Sequence, residues 1–128
     1  MSDGTIYRFS EIDWHVPVSE GTDPEAAAAA GKLGAGRKFL AQGDSGFYAQ
    51  VVRIPPNFTA PSHSHDHPEI FMVLSGTCTM RGEAMTERDM AVIPANGAYG
   101  FTAGPDGVEF LVVRTAKARY ADLEADPR

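Results

Sequence analysis

The strongest constraint on the fold of this chain is the way glycine and proline divide it into short apolar runs. The 128 residues include 13 glycines and 9 prolines, and the runs between them are rich in Val, Ile, Phe and Thr. Such runs are typical of strands, because β-branched and aromatic side chains fit a pleated surface. The pattern predicts an all-β fold. The predicted strands are residues 37–42, 46–54, 69–74, 77–81, 90–93, 99–102 and 108–114.

Two dipeptides, Ser75-Gly76 and Asp106-Gly107, predict tight turns between antiparallel neighbours, because glycine reaches positive φ cheaply. Before the first strand, residues 22–31 combine a cap, a proline, five alanines and a final glycine, which predicts a short helix or an ordered arm. The length suits a single domain. We therefore expect an N-terminal arm (1–36), a β-barrel (37–115) and a polar C-terminal tail (116–128).

Charge and composition exclude several classes of function. The formal net charge of -6 disfavours nucleic acid and anionic membrane surfaces as partners. No apolar run approaches the roughly 20 residues that span a bilayer, and no signal peptide is visible, so the expected location is the cytoplasm. The single cysteine, Cys78, cannot form an internal disulfide or a zinc site built on paired cysteines. We interpret it as a small buried hydrophobe.

The predicted strand at 69–74 is apolar on both faces. Phe71 and Val73 share one face, and Ile70, Met72 and Leu74 share the other. A strand with one face in water would alternate apolar and polar residues. The outer face therefore needs cover from the N-terminal arm or from a second subunit, and we predict a homodimer.

Three of the four histidines lie within five residues, at His63, His65 and His67, and Glu69 follows. Residues two apart in an extended segment lie on one face, about 6.5 to 7 Å apart, so His63 and His65 can point at one ion. Glu69 has the same parity and can join them once Pro68 bends the chain. Two imidazoles and a carboxylate are typical of non-haem Fe(II), and also hold Mn, Ni, Co or Zn. A solvated His-rich loop is the alternative interpretation.

The spacing of this segment resembles a known motif. It is similar to the first motif of the cupin superfamily, written here as His63-x-His65-x-x-x-Glu69-x-x-x-x-x-x-Gly76. Residues 88–99 resemble the second cupin motif more loosely, and the whole likeness covers roughly residues 38–114. The resemblance implies a six- to eight-stranded antiparallel jelly-roll barrel with a metal inside, held by His63, His65 and Glu69.

The chain departs from the family pattern at Asn57, Arg88 and Asn96, where glycines are usual. Asparagine tolerates positive φ, so both asparagines should be structurally neutral. Tyr99 is the larger departure, because it occupies the position from which cupins supply a third histidine. Tyr99 could bind the metal as phenolate, stand beside it as a neutral hydroxyl, or point elsewhere in the pocket; we favour the neutral hydroxyl. His67 is expected at the rim, with replacement of the absent histidine as the alternative.

Three protein ligands leave coordination positions open for chemistry. The resemblance then implies an enzyme acting on a small oxygen-bearing molecule, with Tyr99 orienting the substrate or passing a proton. An iron-dependent dioxygenase is favoured, followed by a Lewis-acid isomerase, lyase or cyclase, and these differ in consumption of oxygen. The alternative is a non-catalytic small-molecule-binding module. Arg53 and Arg81 rank low as carboxylate anchors. Aromatic and apolar residues that could line the cavity, or simply form the core, are Phe47, Phe71, Met80, Phe101 and Phe110.

Overall fold

The computed structural model describes residues 3–15, 25 and 34–117. A short 3₁₀ helix at Phe9–Glu11 precedes seven strands that pair in antiparallel fashion throughout. The strands are β1 (Gly36–Asp44), β2 (Phe47–Ile54), β3 (Thr59–His63), β4 (Glu69–Met80), β5 (Glu83–Met85), β6 (Met90–Ile93) and β7 (Tyr99–Arg114). The predicted all-β antiparallel jelly roll is confirmed.

The strands form one sheet whose hydrogen-bonded path runs β1-β2-β7-β4-β5, with β3 added to β7 and β6 added to β4. The long strand β7 organises this path. Its first part pairs with β3 and its second part with β2, while β4 follows it on the other side. The two ends of β7 can therefore contribute side chains to the same region of the interior.

The two predicted tight turns are wrong. Ser75-Gly76 lies inside β4 and Asp106-Gly107 lies inside β7, so each pair of predicted strands is one long bent strand. Gly76 pairs with Val108 between two register shifts, and Gly76 and Gly107 have φ of 75° and 79°. A Cβ on Gly76 would collide with the carbonyl oxygen of Gly107. The glycines are needed for positive φ, but they form a β-bulge where two strands bend together.

The sequence did not predict two of the strands, β3 and β5. β3 contains Pro61 and polar residues and shows no apolar alternation, and β5 has only three residues. Both are placed by pairing with the long strands β7 and β4. Local sequence carries little signal for such strands, because tertiary pairing outweighs intrinsic preference.

The N-terminal segment 3–15 docks on the outside of β1. His15 exchanges backbone hydrogen bonds with Arg37, and the Lys38 ammonium donates to the carbonyl of Phe9 at 2.7 Å. The guanidinium of Arg53 lies 3.9 Å from the ring centre of Trp14. The helix predicted for residues 22–31 falls outside the described residues, apart from Glu25, which is helical. Among the described residues, no helix is long and apolar enough to cross a membrane.

A cluster of aromatic rings forms the centre of the core. Phe71 stacks on Phe110 with ring centres 4.1 Å apart, and Phe101 meets both rings edge-on. Cys78 is buried in the same core, and burial raises the pKa of its thiol. A protonated, buried thiol is a poor nucleophile, so Cys78 acts as an apolar core residue.

Candidate functional site

The predicted site residues converge because of strand register. His63 at the end of β3 is the cross-strand neighbour of Tyr99 at the start of β7. Glu69 at the start of β4 is the cross-strand neighbour of Arg114 at the end of β7. His65 lies in the connection between β3 and β4, and its ring is 5.0 Å from that of His63. The two ends of β7 therefore meet around one histidine-rich segment.

Glu69 lies at the centre of this group, and both of its oxygens accept hydrogen bonds. Oε2 accepts from the Tyr99 hydroxyl at 2.5 Å, and Oε1 accepts from Arg114 Nε at 2.7 Å. Both partners of the ion pair are buried, with side-chain exposures of 1% for Glu69 and 6% for Arg114. His65 Nε2 lies 3.6 Å from Glu69 Oε1 and 3.5 Å from Arg114 Nη2. The guanidinium of Arg114 thus lies beside two of the three residues expected to bind a metal, His65 and Glu69.

A hydrogen bond sets the tautomer of His63. His63 Nδ1 lies 3.0 Å from the carbonyl oxygen of Pro61, and a carbonyl only accepts, so Nδ1 carries the proton. His65 Nε2 lies between a donor, Arg114 Nη2 at 3.5 Å, and an acceptor, Glu69 Oε1 at 3.6 Å. In a neutral imidazole, the lone pair of His63 is then on Nε2, the form in which histidine binds metals.

His67 is buried, which differs from its expected place at the rim. Its Nδ1 pairs with Asp66 Oδ1 at 2.9 Å, and its ring centre lies 5.6 Å from that of His65. Its Nε2 is buried and has no hydrogen-bond partner among the described residues. A carboxylate that holds Nδ1 and leaves Nε2 without a hydrogen bond is the arrangement that supports histidine as a metal ligand.

The donor chemistry fits a divalent metal, although no ready-made site is present. Among residues 3–15, 25 and 34–117, no three His, Cys, Asp or Glu side chains are already arranged to hold an ion. Two imidazoles that share an ion have ring centres about 5 Å apart, given metal–nitrogen bonds of about 2.0 to 2.1 Å. The 5.0 Å between His63 and His65 matches this spacing. Each Glu69 oxygen accepts one hydrogen bond and keeps a second lone pair, which is available to an ion.

A cavity of about 80 Å³ opens beside these residues, inside the sheet. Its polar lining consists of Arg37, Gln50, His63, Tyr99 and Arg114, and its apolar lining of Val52, Ile54, Ala60, Phe101, Phe110 and Val112. Of the aromatic and apolar residues proposed from sequence, Phe101 and Phe110 line this cavity. Phe71 and Met80 belong to the core, and Phe47 is exposed.

Sequence reasoning missed Arg114, Arg37 and Gln50. The available signal was the alternation of side chains along each strand. Arg114 lies on the same face of β7 as the buried Phe110 and Val112, and Gln50 lies on the same face of β2 as the buried Val52. The low ranking of Arg53 and Arg81 suits their surroundings. Arg53 donates to the carbonyl of Gly34 and covers Trp14, and Arg81 is exposed in a turn with φ of 52°.

A model of the cupin domain matches residues 50–114, and that stretch contains the histidine segment, Glu69, Tyr99 and Arg114. An antiparallel jelly roll with an inward-facing His/Glu cluster defines the class of the protein. The chain belongs to the cupin family. The positions where it lacks the usual glycines keep the left-handed backbone, since Asn57, Arg88 and Asn96 have φ of 63°, 72° and 64°.

Several solved structures share the fold. KdgF from Halomonas sp. is 22% identical, with a TM-score of 0.66 over 89% of this chain and 96% of that one. The polyketide cyclase RemF from Streptomyces resistomycificus is 20% identical, with a TM-score of 0.70 over 97% and 89%. A candidate acetylacetone dioxygenase from Methylibium petroleiphilum PM1 is 16% identical, with a TM-score of 0.70 over 100% and 88%. A search of curated proteins found no significant match. These likenesses show the fold alone.

Proposed function

We propose that this cupin binds one divalent metal through His63, His65 and Glu69, with His67 as an additional ligand, and acts on a small oxygen-bearing molecule. The observation that carries the proposal is the buried Nε2 of His67, which has no partner among the described residues. An unsatisfied buried polar atom costs about 1 to 3 kcal/mol, and a bound cation would remove that cost. The tautomer that the Pro61 carbonyl imposes on His63, with its lone pair on Nε2, supports the same ligand set.

Tyr99 acts in this proposal as a neutral hydroxyl beside the site. Its proton is donated to Glu69 Oε2, which orients the carboxylate from the side opposite Arg114. Tyr99 also lines the cavity, and in this proposal its hydroxyl orients a substrate oxygen or passes it a proton. A divalent ion held here would supply Lewis acidity and, as Fe(II), reactivity towards dioxygen.

The reaction class we favour is an Fe(II)-dependent dioxygenase, and a Lewis-acid isomerase, lyase or cyclase comes second. The first is supported by the likeness to a candidate acetylacetone dioxygenase, and the second by the likeness to the cyclase RemF. Incubation of the Fe(II)-loaded protein with β-dicarbonyls, phenols and thiols in an oxygen electrode separates the two classes. Oxygen uptake with any of them supports the dioxygenase. Substrate turnover without oxygen uptake supports a Lewis-acid isomerase, lyase or cyclase. Binding without turnover supports a non-catalytic binding module.

The metal is tested by elemental analysis of the full chain purified without a His-tag. We expect about one equivalent of metal in the wild type, its loss in His63→Ala and His65→Ala, and weaker retention in His67→Ala. The matched control is His15→Ala. This change removes an imidazole of the N-terminal segment that lies beside Phe39 of β1. Full metal content in both His63→Ala and His65→Ala, or equal loss in the control, would contradict the proposal.

We also propose that the protein works in the cytoplasm as a homodimer, joined through the outer face of β4 and β6. There Ile70 pairs with Val92 and Met72 with Met90, and Val92 is 66% exposed. The described N-terminal segment docks on β1, so it leaves this apolar face for a second copy. Light scattering at micromolar concentration should give a dimer that becomes a monomer in Val92→Lys but not in the control Phe47→Lys. A monomeric wild type would contradict the dimer.

A further inference from the structure

Arg37 is a half-buried cation whose charge is not matched by any described carboxylate. It enters the cavity from β1, opposite Val52 of β2. Among the described residues, its guanidinium hydrogen-bonds to a single side chain, the neutral amide of Gln50, and forms no ion pair. A partly desolvated cation that faces a cavity without a carboxylate partner attracts an anion.

Gln50 links Arg37 to Arg114. In the amide orientation that satisfies both donors, its oxygen accepts from Arg37 Nη1 at 3.3 Å and from Arg114 Nη1 at 3.0 Å. Gln50 is buried, so this shared acceptor is held in place. Two cationic donors that share one neutral oxygen retain capacity for a charged acceptor, and guanidinium groups bind carboxylates with two parallel hydrogen bonds.

The cavity has the charge and size for one carboxylate group. No acidic side chain of the described residues lines it, and the charge of Arg114 is balanced by Glu69. The net charge of the described lining therefore comes from Arg37. Its 80 Å³ is about half of the roughly 150 Å³ cavity that accommodates benzene. Apolar side chains, among them Val52, Phe101 and Phe110, line the cavity as well, which suits the carbon skeleton next to such a group.

We propose that Arg37, held by the Gln50 amide that it shares with Arg114, binds the carboxylate of a small organic acid, so that the ligand of this protein is an anion. That this ligand is also the substrate rests on the proposed function. Arg37 and Tyr99 line the same cavity, so the bound acid would lie beside the hydroxyl that we assign to proton transfer.

The test compares two probes of equal size, acetoacetate and acetylacetone, which differ by a carboxylate oxygen in place of a methyl group. Binding is measured by calorimetry on the full chain, stripped of metal and dialysed, and again after addition of Mn(II). We expect acetoacetate to bind at least about tenfold more tightly than acetylacetone in both states. Arg37→Gln should lose about 10- to 100-fold in acetoacetate affinity and leave acetylacetone unchanged, with Arg37→Lys between the two.

The control is Arg53→Gln, which removes the same charge from the other face of the same two strands, outside the cavity. It should bind both probes as the wild type does. Equal affinity for the two probes in the wild type, or equal loss in Arg37→Gln and Arg53→Gln, overturns the subsite. Metal content is measured in the same samples. Charge preference in a protein that takes up no metal would therefore overturn the metal proposal and leave the carboxylate subsite standing.

Discussion

Replacement of Arg114 by methionine tests the central interaction of the site. The change removes a guanidinium of 6% side-chain exposure. It leaves the Glu69 carboxylate, of 1% exposure, with the Tyr99 hydroxyl as its hydrogen-bond donor. Breaking a buried ion pair by removing one partner costs about 3 to 5 kcal/mol. Because the Tyr99 hydroxyl still donates, we expect the lower end, about 3 kcal/mol.

Thermal and urea unfolding measure this loss. For a chain of 128 residues, 1 kcal/mol corresponds to about 3 to 5 °C in Tm, so Arg114→Met should melt about 10 to 15 °C below the wild type. Glu69→Gln in the Arg114→Met background removes the unpaired buried charge. The double variant should therefore be about 1 to 3 kcal/mol more stable than the sum of the two single changes predicts. A loss below about 1 kcal/mol in Arg114→Met, or strict additivity in the double variant, would refute the reasoning.

Three further outcomes are expected. Tyr99→Phe should leave metal content nearly unchanged and lower turnover of an identified substrate by about 10²- to 10⁴-fold. If this variant loses the metal, or if the ferric wild type shows a visible phenolate-to-iron absorption that the variant lacks, Tyr99 is a ligand. Gly76→Ala should lower the free energy of unfolding by at least about 2 kcal/mol more than Gly82→Ala, because both have positive φ but only Gly76 abuts backbone; equal Tm values would argue against the bulge. Cys78 should react with Ellman's reagent only as fast as the protein unfolds, since burial raises its pKa; rapid labelling of the folded protein would contradict its assignment to the core.

The sequence predicted the fold class well because the relevant signals are local. Runs of β-branched and aromatic residues between glycines and prolines identify strands without any knowledge of their partners. The same locality explains the errors. Gly76 and Gly107 each need a positive φ, which a tight turn and a β-bulge satisfy equally. Only the pairing of β4 with β7 distinguishes the two, and pairing is a tertiary property.

The site was predicted in part for a related reason. His63, His65 and Glu69 lie within seven residues, so their spacing alone suggests that they act together. Arg114 comes 45 residues after Glu69, and only strand register makes them neighbours. Arg37 was missed because it precedes the histidine segment and belongs to a strand whose inward face is set by its pairing with Val52. Long-range register was the missing information in both cases.

Arg114 connects the metal proposal with the carboxylate proposal. Its guanidinium contacts Glu69 through Nε, Gln50 through Nη1 and His65 through Nη2. A divalent ion bound to Glu69 would neutralise part of the carboxylate charge, so Glu69 would hold the Arg114 guanidinium less tightly. The guanidinium charge would then add to that of Arg37 in the cavity and strengthen the attraction for an anion. Linkage is reciprocal. If the ion raises the affinity for a carboxylate ligand by some factor, the carboxylate ligand raises the affinity for the ion by the same factor. Metal and organic acid should therefore bind cooperatively, and Arg114→Met should abolish the coupling.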